Sequence, residues 1–198
     1  CFSRYKNQIA RRQCFLYNVF NPMDYPPHRG VSIVIPAYNE QKGIAETLKE
    51  LKTVLQEQPL SSEIIVVNDA STDPTERLAR EHAVTVISHP TNRGYGAAIK
   101  TGVLASKYDV VLITDADGTY PAQEIPGLLS RLAEADMVVG ARTGVSVAIP
   151  WIRKPAKWVL AKLANYLSNA HIADLNSGLR LFQKGLFNKY LSLLPDGF

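Results

Sequence analysis

Five short apolar runs recur along this chain: VSIVIP (residues 31–36), EIIVVN (63–68), VTVIS (84–88), DVVLIT (109–114) and DMVVGA (136–141). They are continuously apolar, as strands buried on both faces are, and longer amphipathic stretches separate them. That alternation is the pattern of repeated βα units and predicts an α/β domain built on a mostly parallel sheet flanked by helices. Helical segments are expected from about Glu40, Pro74, Gly94 and Pro121. In the first of them Ile44, Leu48, Leu51 and Leu55 fall on one face, with Glu46, Lys49, Lys52 and Gln56 on the other. Residues 1–30, rich in Arg, Asn and aromatic residues and closing in DYPPHRG, break the pattern and read as an N-terminal extension and linker.

A length of 198 residues, 46% hydrophobic and 20% charged, suffices for one globular domain with a substantial core. Cys1 and Cys14 are too few and too local for a disulfide framework and fit a reducing compartment. No apolar run of about 18 residues occurs, so a soluble or membrane-peripheral polypeptide is expected. A first residue of Cys1 in place of Met suggests a piece of a longer protein. Charge is unevenly spread: residues 31–139 hold nine Lys/Arg against fifteen Asp/Glu, and residues 140–190 hold eight against one. An acidic first half that can ligate a metal and a basic second half that can meet an anion suit an enzyme with an anionic second substrate. Nucleic acid is not an expected partner.

In open α/β sheets ligands bind beyond the carboxyl ends of the strands. There the sequence places PAYNE (36–40), NDASTD (68–73), DADG (115–118) and GAR (140–142). Asp73 is expected to cap the next helix, with Glu76 three residues on completing the outline of a capping box. Asp115 and Asp117 admit two chemistries. DADGT fits the nucleophile motif of haloacid-dehalogenase-like phosphatases, in which Asp115 would be phosphorylated and Asp117 would act as acid and base. That family carries the motif on its first strand and needs a later Lys and acidic pair. Here three strands precede it, and the acids that follow, Glu124, Glu134, Asp136, Asp174 and Asp196, are scattered. RGYGAAI is a partial Gly-x-Gly dinucleotide loop that lacks its third glycine and lies on the third unit.

Taken in order, VSIVIPAYNE, VVNDASTD, NRGYGAAIKTG, DADGTYP and MVVGAR resemble the family 2 glycosyltransferases of GT-A (Rossmann-like) fold, over residues 31–142. DLNSGLRLF (174–182) is similar to the segment that follows in the branch of dolichyl-phosphate mannose synthase and the polyprenyl-phosphate sugar synthases. The resemblance implies a donor half over 31–142 and an acceptor half over 143–198. It implies an inverting transfer of a hexose from a nucleotide sugar to a lipid phosphate, with Mg²⁺ or Mn²⁺ as cofactor. By motif position Pro36, Ala37, Tyr38, Glu40, Asn68, Asp69, Gly94, Lys100, Asp115 and Ala116 would bind the donor. Asp117 would ligate the metal, with Asp115 facing the ribose or the metal shell. Asn68 departs from the acidic pair usual at 68–69, and Thr119 stands where that branch often has a metal-binding Gln.

An acceptor phosphate is already an anion and needs no general base, whereas a sugar hydroxyl would. Beyond the aspartates only Asp174 and Glu124 offer a base, and cations are plentiful: Arg142, Arg153, Lys154 and Arg180, with Ser177 beside them, are the expected phosphate site and Arg180 a catalytic candidate. From about Pro155 a helix would gather Val159, Leu160, Leu163, Tyr166 and Leu167 on one arc and Lys154, Trp158, Lys162 and Asn165 on another, suited to a membrane surface. A cytoplasmic protein held at the membrane face is the resulting expectation. The alternatives are the same donor chemistry with a saccharide acceptor, and a nucleotide-sugar-binding module without turnover.

Overall fold

The computed structural model describes residues 14–17, 30–132, 135–140 and 177–197. Seven strands form one sheet in the order β1-β6-β7-β5-β2-β3-β4. They are β1 (Cys14–Tyr17), β2 (Gly30–Ala37), β3 (Ser61–Asn68), β4 (Thr85–Ser88), β5 (Val110–Ile113), β6 (Met137–Gly140) and β7 (Arg180–Gln183). β2 pairs in parallel with β3 and β5, and β3 with β4. β7 is antiparallel to both β5 and β6, and β1 is antiparallel to β6. Five of the seven strands therefore share one direction, and the sheet is mostly parallel as expected. The five apolar runs are β2 to β6. Two further strands carry only four residues each: β1 lies inside the segment read as an extension, and β7 inside the DLNSGLRLF motif.

Alternate residues of the central strands feed the two faces. On one, Val31, Ile33 and Ile35 of β2 and Val110 and Leu112 of β5 pack with Ile44, Leu48, Leu51 and Leu55 of α1 (Ile44–Gln56). The same layer takes Ile125 and Leu128 of α4 (Ile125–Arg131), after a short 3-10 turn at Ala122–Glu124. All four apolar positions read from the sequence of α1 are at most 5% exposed. α2 (Thr75–Glu81) packs through Ala79. On the other face Val34, Val111, Ile113 and Phe182 meet Ile99 and Val103 of α3 (Tyr95–Ala105) and Leu186 and Phe187 of α5 (Lys184–Tyr190). Close approach is built into α3, because a Cβ on Gly102 would lie 2.3 Å from Val34 Cγ1. These layers fix the carboxyl ends of β2, β3 and β5 at one edge. Since β7 runs the opposite way, its first residue, Arg180, arrives at that same edge, preceded by Ser177 to Leu179.

Candidate active site

A cleft of about 310 Å³ opens at this edge, within the usual size range of small-molecule sites. Pro36, Ala37, Tyr38 and Glu40 line it from the end of β2, Asp69 from the end of β3, and Asp115, Ala116 and Asp117 from the end of β5. Asn92, Gly94, Tyr95 and Ala98 complete it from the start of α3. Nine residues expected at the donor and metal site thus share one cavity. Asn92, Tyr95 and Ala98 were missed, although they belong to a quoted motif; the signal was the motif's position before a helix.

The backbone of the Asp-x-Asp loop is held from α1. Thr47 Oγ1 donates to Ala116 O at 3.0 Å, and α1 comes so close that a Cβ on Gly43 would be 2.7 Å from that oxygen. Gly118 turns the chain at φ 72°, a conformation that favours glycine, and Thr119 N donates to Asp117 Oδ1 at 2.9 Å. Burial, then the charges of Asp117, Asp115 and Asp73, push the Glu40 carboxyl above its ordinary range. Carboxylates thus crowd one another across the cleft, and a cation there would relieve the repulsion. A divalent metal fits this donor set, with oxygen ligands from Asp117 and Asp115. Among the described residues no group of three or more His, Cys, Asp or Glu could by itself hold a metal ion.

Asp69 is engaged quite differently. Its Oδ1 accepts from His89 Nδ1 at 2.6 Å and from Arg93 N at 2.9 Å, and its Oδ2 from Gly94 N at 2.8 Å. Burial opposes ionisation here, but the Arg93 N–H, the His89 ring and the Gly94 N–H outweigh it and hold the carboxyl below the usual aspartate range. The side chain expected beside the base therefore anchors the loop that leads into α3. Asn68 is 2% exposed and lies outside the cleft lining; its Nδ2 donates to Glu76 Oε2 at 3.0 Å and its Oδ1 accepts from Ser71 N at 3.2 Å. Lys100 also lies outside the lining, with Nζ on Asp196 Oδ1 at 2.6 Å and Leu194 O at 2.5 Å. Asp73 does meet the start of α2, through Thr75 N at 3.0 Å, while its Oδ2 takes Gln41 N at 3.1 Å. Glu76 turns to Asn68 and Arg80, so the reciprocal half of the capping box is not formed.

Arg180 opens β7 with Nε donating to Ser177 O at 2.8 Å, and its charge is felt by the Tyr95 phenol in the cleft. Ser177 is fully buried, and its hydroxyl donates to Gly140 O at 2.5 Å, which ties β6 to the approach of β7. Arg142, Arg153, Lys154, Asp174 and the helix expected from Pro155 lie outside the described residues. Among the described residues no helix is long and apolar enough to cross a membrane.

The sequence profile described as Glycosyl transferase family 2 matches residues 32–191. An undecaprenyl-phosphate mannosyltransferase of Micrococcus luteus is 32% identical over 77% of this chain and 66% of its own length. A dolichyl-phosphate hexose transferase of Haloferax volcanii is 30% identical over 80% and 68%. A low-salt glycan biosynthesis hexosyltransferase from the same archaeon is 33% identical over 78% of this chain, but over only 38% of its own length. The chain thus spans between about a third and two thirds of these curated relatives. Among solved structures, mannosyl-3-phosphoglycerate synthase from Rubrobacter xylanophilus shares the fold with a TM-score of 0.68 at 23% identity, covering 86% of this chain and 60% of that one. Glucosyl-3-phosphoglycerate synthase from Mycobacterium tuberculosis, in complex with Mn²⁺, UDP and phosphoglyceric acid, has a TM-score of 0.62 at 24% identity over 80% and 57%. The matched motifs are those that build the cleft, and they do not support the phosphatase reading of Asp115: the chain belongs to glycosyl transferase family 2.

Proposed function

We propose that this chain carries the donor site of an inverting, metal-dependent hexosyltransferase that uses a nucleotide sugar and a polyprenyl phosphate. The observation that carries this reading is the crowding of Glu40, Asp115 and Asp117 in one cleft, with Arg180 arriving at the same edge. The cleft residues after β2 would enclose the nucleotide, Tyr38 from the rim, where it is 47% exposed. A bound Mg²⁺ or Mn²⁺, held by Asp117 with Asp115 beside it, would neutralise the diphosphate as it departs. In the transfer, the bond from the sugar's anomeric carbon to the diphosphate breaks. A new bond forms from that carbon to an oxygen of the acceptor phosphate, which is already ionised and needs no base. Arg180 supplies a cation for that phosphate.

Support for the acceptor comes from relatives named for undecaprenyl and dolichyl phosphate at about 30% identity. A lipid acceptor entails contact with a membrane surface, and nucleotide sugars place the enzyme on its cytoplasmic face in this reading. The test is incubation with Mn²⁺, a panel of labelled nucleotide sugars and a short polyprenyl phosphate. Label in the organic phase is expected with one donor. Label transferred only to saccharides would replace the acceptor, and donor binding without any transfer would reduce the chain to a binding module.

A further inference from the structure

Asp115 is gripped from two sides by groups that sequence reasoning did not single out. From α3, Tyr95 Oη donates to Asp115 Oδ1 at 3.0 Å. From the approach to β7, Gly178 packs so closely that a Cβ there would lie 2.2 Å from Asp115 Oδ2. Gly178 is itself pinned, its N–H donating to Tyr120 Oη at 2.6 Å.

Tyr95 is held in turn. It is the first residue of α3, and the segment Leu194–Gly197 lies across that point as a strap. Asp196 O accepts from Ala97 N at 2.9 Å, and Lys100 Nζ binds the strap at Leu194 and Asp196. A Cβ on Gly96 would lie 2.2 Å from Pro195 O, and one on Gly94, at φ +95°, would lie 2.8 Å from Asp196 O. The two glycines of the partial Gly-x-Gly loop thus make room for the chain's own backbone.

We propose that Tyr95 is a positioning residue of the donor site: its hydroxyl, set by the strapped start of α3, fixes the orientation of Asp115 and so aims that carboxylate at the nucleotide and its metal. This rests on the donor-site reading above. A misaligned carboxylate binds weakly even when its charge is intact.

The experiment is a double-mutant cycle read by calorimetry. Wild type, Tyr95→Phe, Asp115→Asn and the double variant are titrated with UDP and with GDP, each in the presence of Mn²⁺, after melting curves show cooperative unfolding. Tyr95→Phe removes one oxygen and keeps the ring. It is expected to weaken whichever nucleotide the wild type binds by roughly ten- to a hundredfold, the scale of a hydrogen bond to a charged group. The double variant should then bind no worse than Asp115→Asn alone, because Tyr95 acts through Asp115. Equal affinity of wild type and Tyr95→Phe overturns the assignment, and so do losses that add. Should the wild type bind neither nucleotide with Mn²⁺, the donor-site reading itself fails and this inference falls with it.

Discussion

Two acidic sites stand at neighbouring strand ends, and they are solved in opposite ways. At the end of β3 the chain surrounds Asp69 with donors: His89, Arg93 N and Gly94 N fill its oxygens, and the Asp69 and His89 side chains are 4% and 5% exposed. At the ends of β2 and β5 the chain sets Glu40, Asp115 and Asp117 against one another, with Asp117 exposed to the cleft. A carboxylate answered by the protein's own N–H groups is architecture. Where Glu40 meets the charges of Asp117, Asp115 and Asp73, a bound cation would relieve the repulsion.

The largest effect that would sharpen this contrast is on turnover. Asp117→Asn should reduce hexose transfer at least about a hundredfold and remove its dependence on Mn²⁺, because an amide is a poorer ligand than a carboxylate. The melting temperature without metal should be unchanged, since Asp117 supports little beyond its own turn. Undiminished transfer by that variant would remove Asp117 from the metal site.

Asp69→Ala should do the reverse, acting on stability first. It strands His89 and two backbone donors, and breaking a buried pair costs about 3–5 kcal/mol. In a domain of this length that corresponds to a fall of roughly 6–20 °C in Tm. The pH dependence follows from the sign of each shift. Asp69 is held below its ordinary value, so its contribution is present above about pH 4 and is lost as the pH falls through its lowered value. Melting curves from pH 7 to pH 3 should therefore be flatter for Asp69→Ala than for the wild type.

Glu40 is shifted the other way, so its ionisation opposes folding at neutral pH and the penalty fades as the pH falls toward its unfolded value. Glu40→Gln is expected to raise Tm by about 1–3 °C at pH 7 without metal, and by nothing near pH 4. Saturating Mn²⁺ and nucleotide should abolish or invert that gain. Smallest of all, Lys100→Ala should barely change Tm, because the Asp196 side chain it meets is 63% exposed and solvent screens the pair. A large loss of donor affinity in Lys100→Ala, with Tm little changed, would show that the strap matters more to the site than to the fold.

The sequence made β2 to β6 legible because each lies in a largely apolar run, and it made α1 legible because its apolar residues repeat at helical spacing. The cleft followed from asking what stands after each strand. β1 and β7 were not legible: CFLY lies in a segment whose composition breaks the βα pattern, and RLFQ opens on a charged residue inside a motif rather than after a turn. The missed roles share a cause. Tyr95, Gly178 and the strap matter through contacts with residues 20 to 96 positions away in the chain, and no local pattern encodes such partners. Asn68 and Lys100 show the converse, since motif position drew them into the site while their polar atoms serve the fold.

The central claim is that opposed carboxylates in this cleft await a cation together with a nucleotide diphosphate. The direct measurement is the Tm of the wild type and of Asp117→Asn with Mn²⁺ alone, with UDP or GDP alone, and with both. Ligand at a hundredfold excess over its dissociation constant stabilises by about 2.7 kcal/mol, worth roughly 5–10 °C here. That shift is expected only when metal and one nucleotide are present together, and only in the wild type. A shift of the same size without metal, or an equal shift in Asp117→Asn, would contradict the claim.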